Sequence, residues 1–258
     1  IGQVRMGSQY TINRFILLKT DSLGNMEWMK DYGLANTVNR GENIILTPDG
    51  GYLLGGYTFY NKYDALVIKI DSLGNEQWHK VIGGPNNDGL ARLALAKDSN
   101  YVVATTYSVH DDFGSPSSRV RIIKLDTAGN ILWDKQYCKP KAERRTNSVK
   151  ALKTGGFIIC GTTYLDTFIK YHRGFLMRFN ENGDSIWYRE YANYSPPRYL
   201  HELYDVIQTA DGGFAACGDI NDDYNNAFYD IWLLKTDSMG NAPGCQYAGF
   251  GASTPLSP

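Results

Sequence analysis

Carboxylates, histidines, cysteines and tyrosines are the side chains of this 258-residue chain that chemistry would use, and their spacing limits what they can do. Asp21, Asp71, Asp126 and Asp237 each stand three residues ahead of a glycine. An aspartate can serve as a general acid or base, but one acid recurring in every copy of a repeat faces no common pocket, so these read as turn formers. Two carboxylates flanking a sugar would hydrolyse a glycosidic bond. Asp112 with Asp223 is one such pair, although the sequence does not fix the separation on which that chemistry depends. The acidic loop Asn221-Asp222-Asp223-Tyr224-Asn225-Asn226 offers oxygen ligands but has neither EF-hand spacing nor a terminal Glu, and reads as a polar turn. His79, His110, His172 and His201 form no zinc motif, so neither a metal nor a cofactor is expected.

The residues best suited to recognition sit in segments that do not repeat. These are Tyr60-Asn61-Lys62-Tyr63, His110-Asp111-Asp112-Phe113, the stretch Asp166 to Arg173, and the acidic loop just described. Tyrosine presents a rigid amphipathic surface at low entropic cost, and Asn or Asp add adaptable hydrogen bonds. Tyr60, Tyr63, His110, Asp112, Tyr171, Arg173, Asp223 and Tyr224 are therefore the candidate binding residues, and no catalytic residue is assigned. Two connectors stand out as well: the basic Lys139-Pro140-Lys141-Ala142-Glu143-Arg144-Arg145 and the rigid aromatic Asn193-Tyr194-Ser195-Pro196-Pro197-Arg198-Tyr199.

What must position these loops is a repeat. Lys19-Thr20-Asp21-Ser22-Leu23-Gly24-Asn25 leads to Trp28, and the phrase returns at Lys69 to Asn75 with Trp78 and at Lys124 to Asn130 with Trp133. A varied copy runs from Arg178 to Asp184 with Trp187, and a fifth from Lys235 to Asn241 has Gly244 in place of Trp. Successive glycines lie 50, 55, 54 and 57 residues apart, close to the period of propeller blades. Each period holds a second phrase, such as Thr47-Pro48-Asp49-Gly50-Gly51 or Thr209-Ala210-Asp211-Gly212-Gly213, which reads as a hairpin turn between apolar runs.

One period thus predicts four strands, a to d, illustrated by residues near 88–97, 101–107, 119–125 and 131–137. Strand c is apolar at consecutive positions, as in Ile16-Leu17-Leu18 and Leu66-Val67-Ile68, which predicts burial on both faces. The tryptophans start strand d and are expected to wedge against the neighbouring unit. Cys160 and Cys217 share one strand-b position, held elsewhere by Gly55 and Ala104, and are expected to be buried thiols too far apart for a disulfide. Cys138 and Cys245 are not equivalent, and the four cysteines leave the redox compartment open.

The Asp-x-x-Gly-x-x-x-Trp phrase resembles the tryptophan-docking motif of quinoprotein-like propellers, a group that includes quinone-dependent dehydrogenases and non-enzymatic outer-membrane assembly factors. The fuller phrase, with Asp49-Gly50-Gly51-Tyr52-Leu53-Leu54-Gly55-Gly56 ahead of Lys69-Ile70-Asp71-Ser72-Leu73-Gly74-Asn75, is similar to propeller repeats in secreted and surface proteins of the Bacteroidota. Many of those are type IX secretion substrates. The resemblance covers residues from about 12 to 245 and implies an all-β fold, a β-propeller of five four-stranded blades, in an extracellular or cell-surface setting. Residues 1–250 are expected to form one propeller domain and 251–258 to begin a linker or tail; the strand that ring closure lacks would come from residues 246–253 or from upstream chain, and a piece of a larger propeller is the rival reading.

Charge narrows the partners. A formal net charge of -1 removes the basic footprint that nucleic acid demands, and no apolar run approaches the roughly 20 residues of a membrane span. The expected function is a binding or interaction module that presents its variable loops to a protein or glycan, or to neighbouring domains of the same chain. The alternatives are enzymatic. Sialidase-like glycosidases also carry an Asp box on this hairpin, but as Asp-x-Gly, and no arginine cluster with a tyrosine nucleophile can be assigned from the sequence. A quinone-dependent dehydrogenase shares the scaffold, but this chain lacks the vicinal cysteine pair of many of its members.

Overall fold

A computed structural model describes residues 2–6, 12–110, 116–137, 143–164, 172–192, 200–221 and 229–242, and among them every regular element is a β-strand. The first unit is β1 (Gly2–Met6), β2 (Ile12–Thr20) and β3 (Met26–Tyr32). The second is the meander β4 (Val38–Leu46), β5 (Tyr52–Phe59), β6 (Tyr63–Ile70) and β7 (Glu76–Ile82). A parallel bridge at Asn13 and Val38 joins these two units into one seven-stranded sheet. The third unit is β8 (Arg92–Leu95), β9 (Tyr101–His110), β10 (Pro116–Leu125) and β11 (Ile131–Tyr137). The fourth is β12 (Glu143–Ala151), β13 (Phe157–Tyr164), β14 (His172–Phe179) and β15 (Ser185–Tyr191), and the fifth is β16 (Leu200–Gln208), β17 (Phe214–Asn221) and β18 (Asp230–Thr236). Consecutive strands within a unit pair antiparallel.

The core lies between units, not within them. Phe15, Leu17 and Tyr32 of the first unit meet Leu54, Leu66 and Ile68 of the second. Leu53, Ala65 and Val67, on the opposite face of the second unit, meet Tyr101, Val103 and Ile123 of the third. The alternation continues, with Val102, Val120 and Ile122 against Ile159, Phe175 and Met177, and then Ile158, Leu176 and Trp187 against Phe214, Trp232 and Leu234. Adjacent side chains of a strand point to opposite faces, so a continuous apolar run serves two interfaces at once. Burial of each such aliphatic side chain contributes about 1.5–3 kcal/mol.

The expectation of two buried faces therefore holds inside the array and fails at its ends. Val67, Ile122 and Leu176 are fully buried, whereas their equivalent Leu233 is 72% exposed and Leu18 is 52% exposed. No described sheet covers those outer faces. Cys217 is corrected for the same reason: Cys160 is buried and free, while Cys217 is free but exposed on the outer face of the fifth unit. Cys138, Cys245 and residues 246–253 lie outside the described residues. Strand a of the third unit is also shorter than expected, because Asp88, Gly89 and Ala91 donate their amides to Tyr63, Thr106 and Gly56 in turn and so tie two units together instead of extending one ladder.

The repeated hairpins behave as turn formers. In each of the four Asp copies the Oδ1 atom accepts amides two and four residues on, as Asp71 does from Leu73 at 2.9 Å and Asn75 at 2.8 Å, and Oδ2 accepts from the Asn side chain. The varied fourth copy swaps the two partners: Asn180 accepts the amides and its side-chain amide donates to Asp184. Each hairpin glycine has positive φ and, in four copies, also carries the preceding unit's indole. A β-carbon added at Gly183 would lie 2.8 Å from the Trp133 ring, so glycine is required there both by conformation and by space.

Candidate binding cleft at the loop end

The two ends of the sheets carry different connections. Lys69, at the end of strand c, pairs with Asp49 of the a–b turn at 2.8 Å, which places a–b and c–d turns at one end. The Asp88 amide donates to the Tyr63 carbonyl at 2.6 Å, which places the d–a connections and b–c turns at the other. At that second end the first two strands of neighbouring units converge around a cleft of about 240 Å³.

Equivalent positions of three successive units build it. Arg40 opposite Tyr57 in the second unit and Arg145 opposite Thr162 in the fourth hold the same place in strand a, and Leu90 lies between them with Thr106. Tyr63, Asp88, Gly89, Glu42 and Thr146 complete the lining. Glu42 reaches the cleft because strand β4 has a register shift between Gly41 and Asn43, an irregularity that re-aims a side chain without breaking the ladder. Its two carboxylate oxygens are both taken, Oε1 by Arg40 Nε at 3.0 Å and Oε2 by Arg92 Nη1 at 3.2 Å. Burial holds the Arg92 guanidinium below its ordinary pKa, with Glu42 opposing and the like charge of Arg145 adding to the effect.

Asp88 is the buried acid of the wall, 7% exposed. Its Oδ1 accepts the Ser108 amide at 2.9 Å, while Oδ2 has no hydrogen-bond partner. Burial raises its pKa, the Ser108 amide opposes that, and the charge of Asp64 reinforces it. Thr106 is fixed in place, its hydroxyl accepting the Thr146 amide at 3.0 Å. Tyr63 packs edge-on to Tyr57, with ring centroids 5.1 Å apart.

Of the residues singled out in the sequence, Tyr63 lines this cleft and Tyr60 is exposed on the adjoining turn. His110 is the last residue of β9. Arg173 is not on an exposed loop: it lies in β14, 5% exposed, and donates to Glu190 at 3.3 Å, because the strand begins at His172 and draws it into the sheet. Asp112, Tyr171, Asp223 and Tyr224 lie outside the described residues. The basic connector is corrected as well, since Glu143, Arg144 and Arg145 belong to β12 and Arg144 is buried beneath Tyr188. Arg40, Glu42 and Asp88 escaped the sequence reading, and Arg145 entered it only as the end of the basic connector. Their common signal was a charged residue early in strand a, which only alignment of the repeats through their pairing registers reveals.

A second polar group sits on the fifth unit. The Tyr204 hydroxyl lies 3.1 Å from Glu202 Oε2 and 2.9 Å from Asp219 Oδ2, and His172 contacts Glu202 at 2.9 Å. Burial, hydrogen bonding to Asp219 and the nearby acids all push the Tyr204 pKa up. Among the described residues no group of three His, Cys, Asp or Glu side chains is placed to hold a metal ion. No family model matches this chain, and no curated protein does.

Proposed function

We propose that the chain is a five-bladed β-propeller that works outside the cell or on its surface as a binding module, presenting its loop end to a protein or glycan. The observation that carries the binding reading is the cleft: residues from three adjacent units, absent from the repeat consensus, converge at the end where the connections vary. Rigid scaffolds with variable loops commonly carry recognition at such an end. The extracellular setting, and export of the type IX kind, rest on the likeness of the repeat phrases to Bacteroidota surface proteins.

Closure into a ring draws on the repeat equivalence of the two end faces. Ile231 and Leu233 of the fifth unit stand where Ala65 and Val67 of the second are buried against a following sheet. Leu18 and Met29 of the first unit stand exposed where other units meet a preceding one, and nothing lies within 4 Å of a β-carbon built at Gly24, the hairpin glycine that would receive an indole. Each exposed face is the half that the other lacks.

A carbohydrate-active enzyme is the second reading, favoured by the Tyr204 group, in which a tyrosine lies between two acids and Glu202 feels the charge of Arg145. Its raised pKa keeps that phenol protonated at neutral pH, which suits a hydrogen-bond donor better than a nucleophile. Glycan-array screening together with affinity capture from the producing cell separates the readings. Selective capture that Tyr63→Ala abolishes supports the module, and release of a cleaved sugar overturns it.

A further inference from the structure

We infer that the cleft receives a sugar bearing one carboxylate, held between Arg40 and Arg145; this deepens the binding-module reading and rests on it. Two guanidinium groups, Arg40 of β4 and Arg92 of β8, share the single carboxylate Glu42, and a third, Arg145 of β12, lines the same cleft and bears on Arg92 with its like charge. Glu42 is already saturated by Arg40 and Arg92. Arg145 is in no salt bridge among the described residues; it hydrogen-bonds the Tyr164 hydroxyl, its charge reaches Glu202 through space, and it stands exposed on the cleft wall with its like charge on Arg92. Gathered like charges are unfavourable until an anion joins them, and the planar guanidinium fork matches a carboxylate in bidentate fashion.

The rest of the lining selects what carries that anion. Tyr57 and Tyr63 bring hydroxyl groups, and the Thr106 hydroxyl, which accepts the Thr146 amide, keeps its own hydrogen to donate; these complement a polyhydroxylated ring. The volume, about 240 Å³, lies below the roughly 300–1,000 Å³ of sites for drug-sized ligands, which suits one terminal sugar unit with the rest of its chain outside the cleft. Asp88, buried in the same wall, opposes any second negative charge and so disfavours a phosphate dianion against a monocarboxylate.

Calorimetric titration with matched probes tests this. Sialyllactose should bind at least about tenfold more tightly than lactose, and an oligogalacturonate at least about tenfold more tightly than its methyl ester, with affinity falling as salt rises. Arg145→Gln should lower affinity about tenfold or more, and Arg145→Lys should not restore it, because an ammonium cannot offer the fork. Arg145 is exposed, so the variant should unfold at the wild-type temperature, which separates lost binding from lost structure. Equal binding of neutral and acidic probes, inorganic phosphate binding as tightly as the acidic sugars, or an unchanged affinity in Arg145→Gln would overturn the inference. If acidic sugars are ignored while a neutral glycan or a protein is captured in a Tyr63-dependent way, this inference fails and the binding-module reading stands. If no capture depends on either residue, both fail.

Discussion

The hairpin end and the loop end of this molecule are built from the same strands by opposite rules. At the hairpin end the units share a common set of bonds: Asp or Asn closes every turn, Lys69, Lys124 and Lys235 pair with Asp49, Asp98 and Asp211 in the second, third and fifth units, and aromatic residues bridge to the next unit. The Tyr32, Tyr137 and Tyr191 hydroxyls donate to the carbonyls of Gly74, Gly183 and Gly240 at 2.6–2.8 Å. In the second unit Ile82 stands in the tyrosine position, and there Trp78 Nε1 donates to Thr127 instead. At the loop end equivalent positions hold Arg40, Gly89 and Arg145, and Asp88 keeps an unpaired oxygen. Repetition of one bonding pattern is what a scaffold needs, while departure from repetition with charge left over is what a site needs.

The largest test of that contrast is at the hairpin end. Trp187 is fully buried between Gly240 and Phe214, so Trp187→Ala should cost about 3–5 kcal/mol in urea unfolding. A cost below that of a surface substitution would mean the indole is no wedge. Asp49→Asn comes next, because it strands Lys69, 1% exposed, without its anion; about 1–3 kcal/mol is expected, toward the lower figure since Asp49 itself is half exposed. Lys69, followed by the Thr47 hydroxyl, holds the Asp49 carboxyl at about 2, below its ordinary 3.8. A depressed carboxylate pKa stabilises the fold above the ordinary value and is lost as pH falls from about 4 toward 2, and Asp49→Asn should flatten that loss.

Tyr137→Phe should cost about 1 kcal/mol by removing the donor to Gly183. Burial pushes the Tyr137 phenol up to about 12, so the loss should be constant across neutral pH, and a pH-dependent loss would point to a different role. The smallest effect is at the loop end, and its sign is reversed. Asp88 has a raised pKa because of burial, so its contribution weakens as pH climbs through that raised value, and Asp88→Asn should remove this dependence while leaving acid stability unchanged. Thermal unfolding of the two Asn variants across pH should therefore give opposite slopes relative to wild type; slopes of the same sign would erase the distinction between the ends.

The scaffold was legible before any coordinates. Turn chemistry is local: Asp71, Gly74 and Asn75 lie within five residues, so their spacing states their bonds, and strand c announces its two buried faces by an unbroken apolar run. The tryptophan wedges were legible too, because a large indole recurring at one register has few roles other than packing. Less could be read of the lysines, whose Asp partners lie 20 or more residues away in another turn, or of the tyrosines that bridge units.

The candidate cleft was readable only at Tyr63. Arg40, Asp88 and Arg145 come from segments separated by about fifty residues each; no local pattern marks the first two, and Arg145 was marked only as part of a basic run. Alternating periodicity and turn residues determined by themselves that the chain repeats in all-β units and where each unit turns, since those forces act over a few neighbouring residues. Which face found a partner, which was left bare at Leu233 and Leu18, and which charges met at one cleft were decided only by the packing of unit on unit, because burial and Coulomb interaction depend on distance in space and not on distance along the chain.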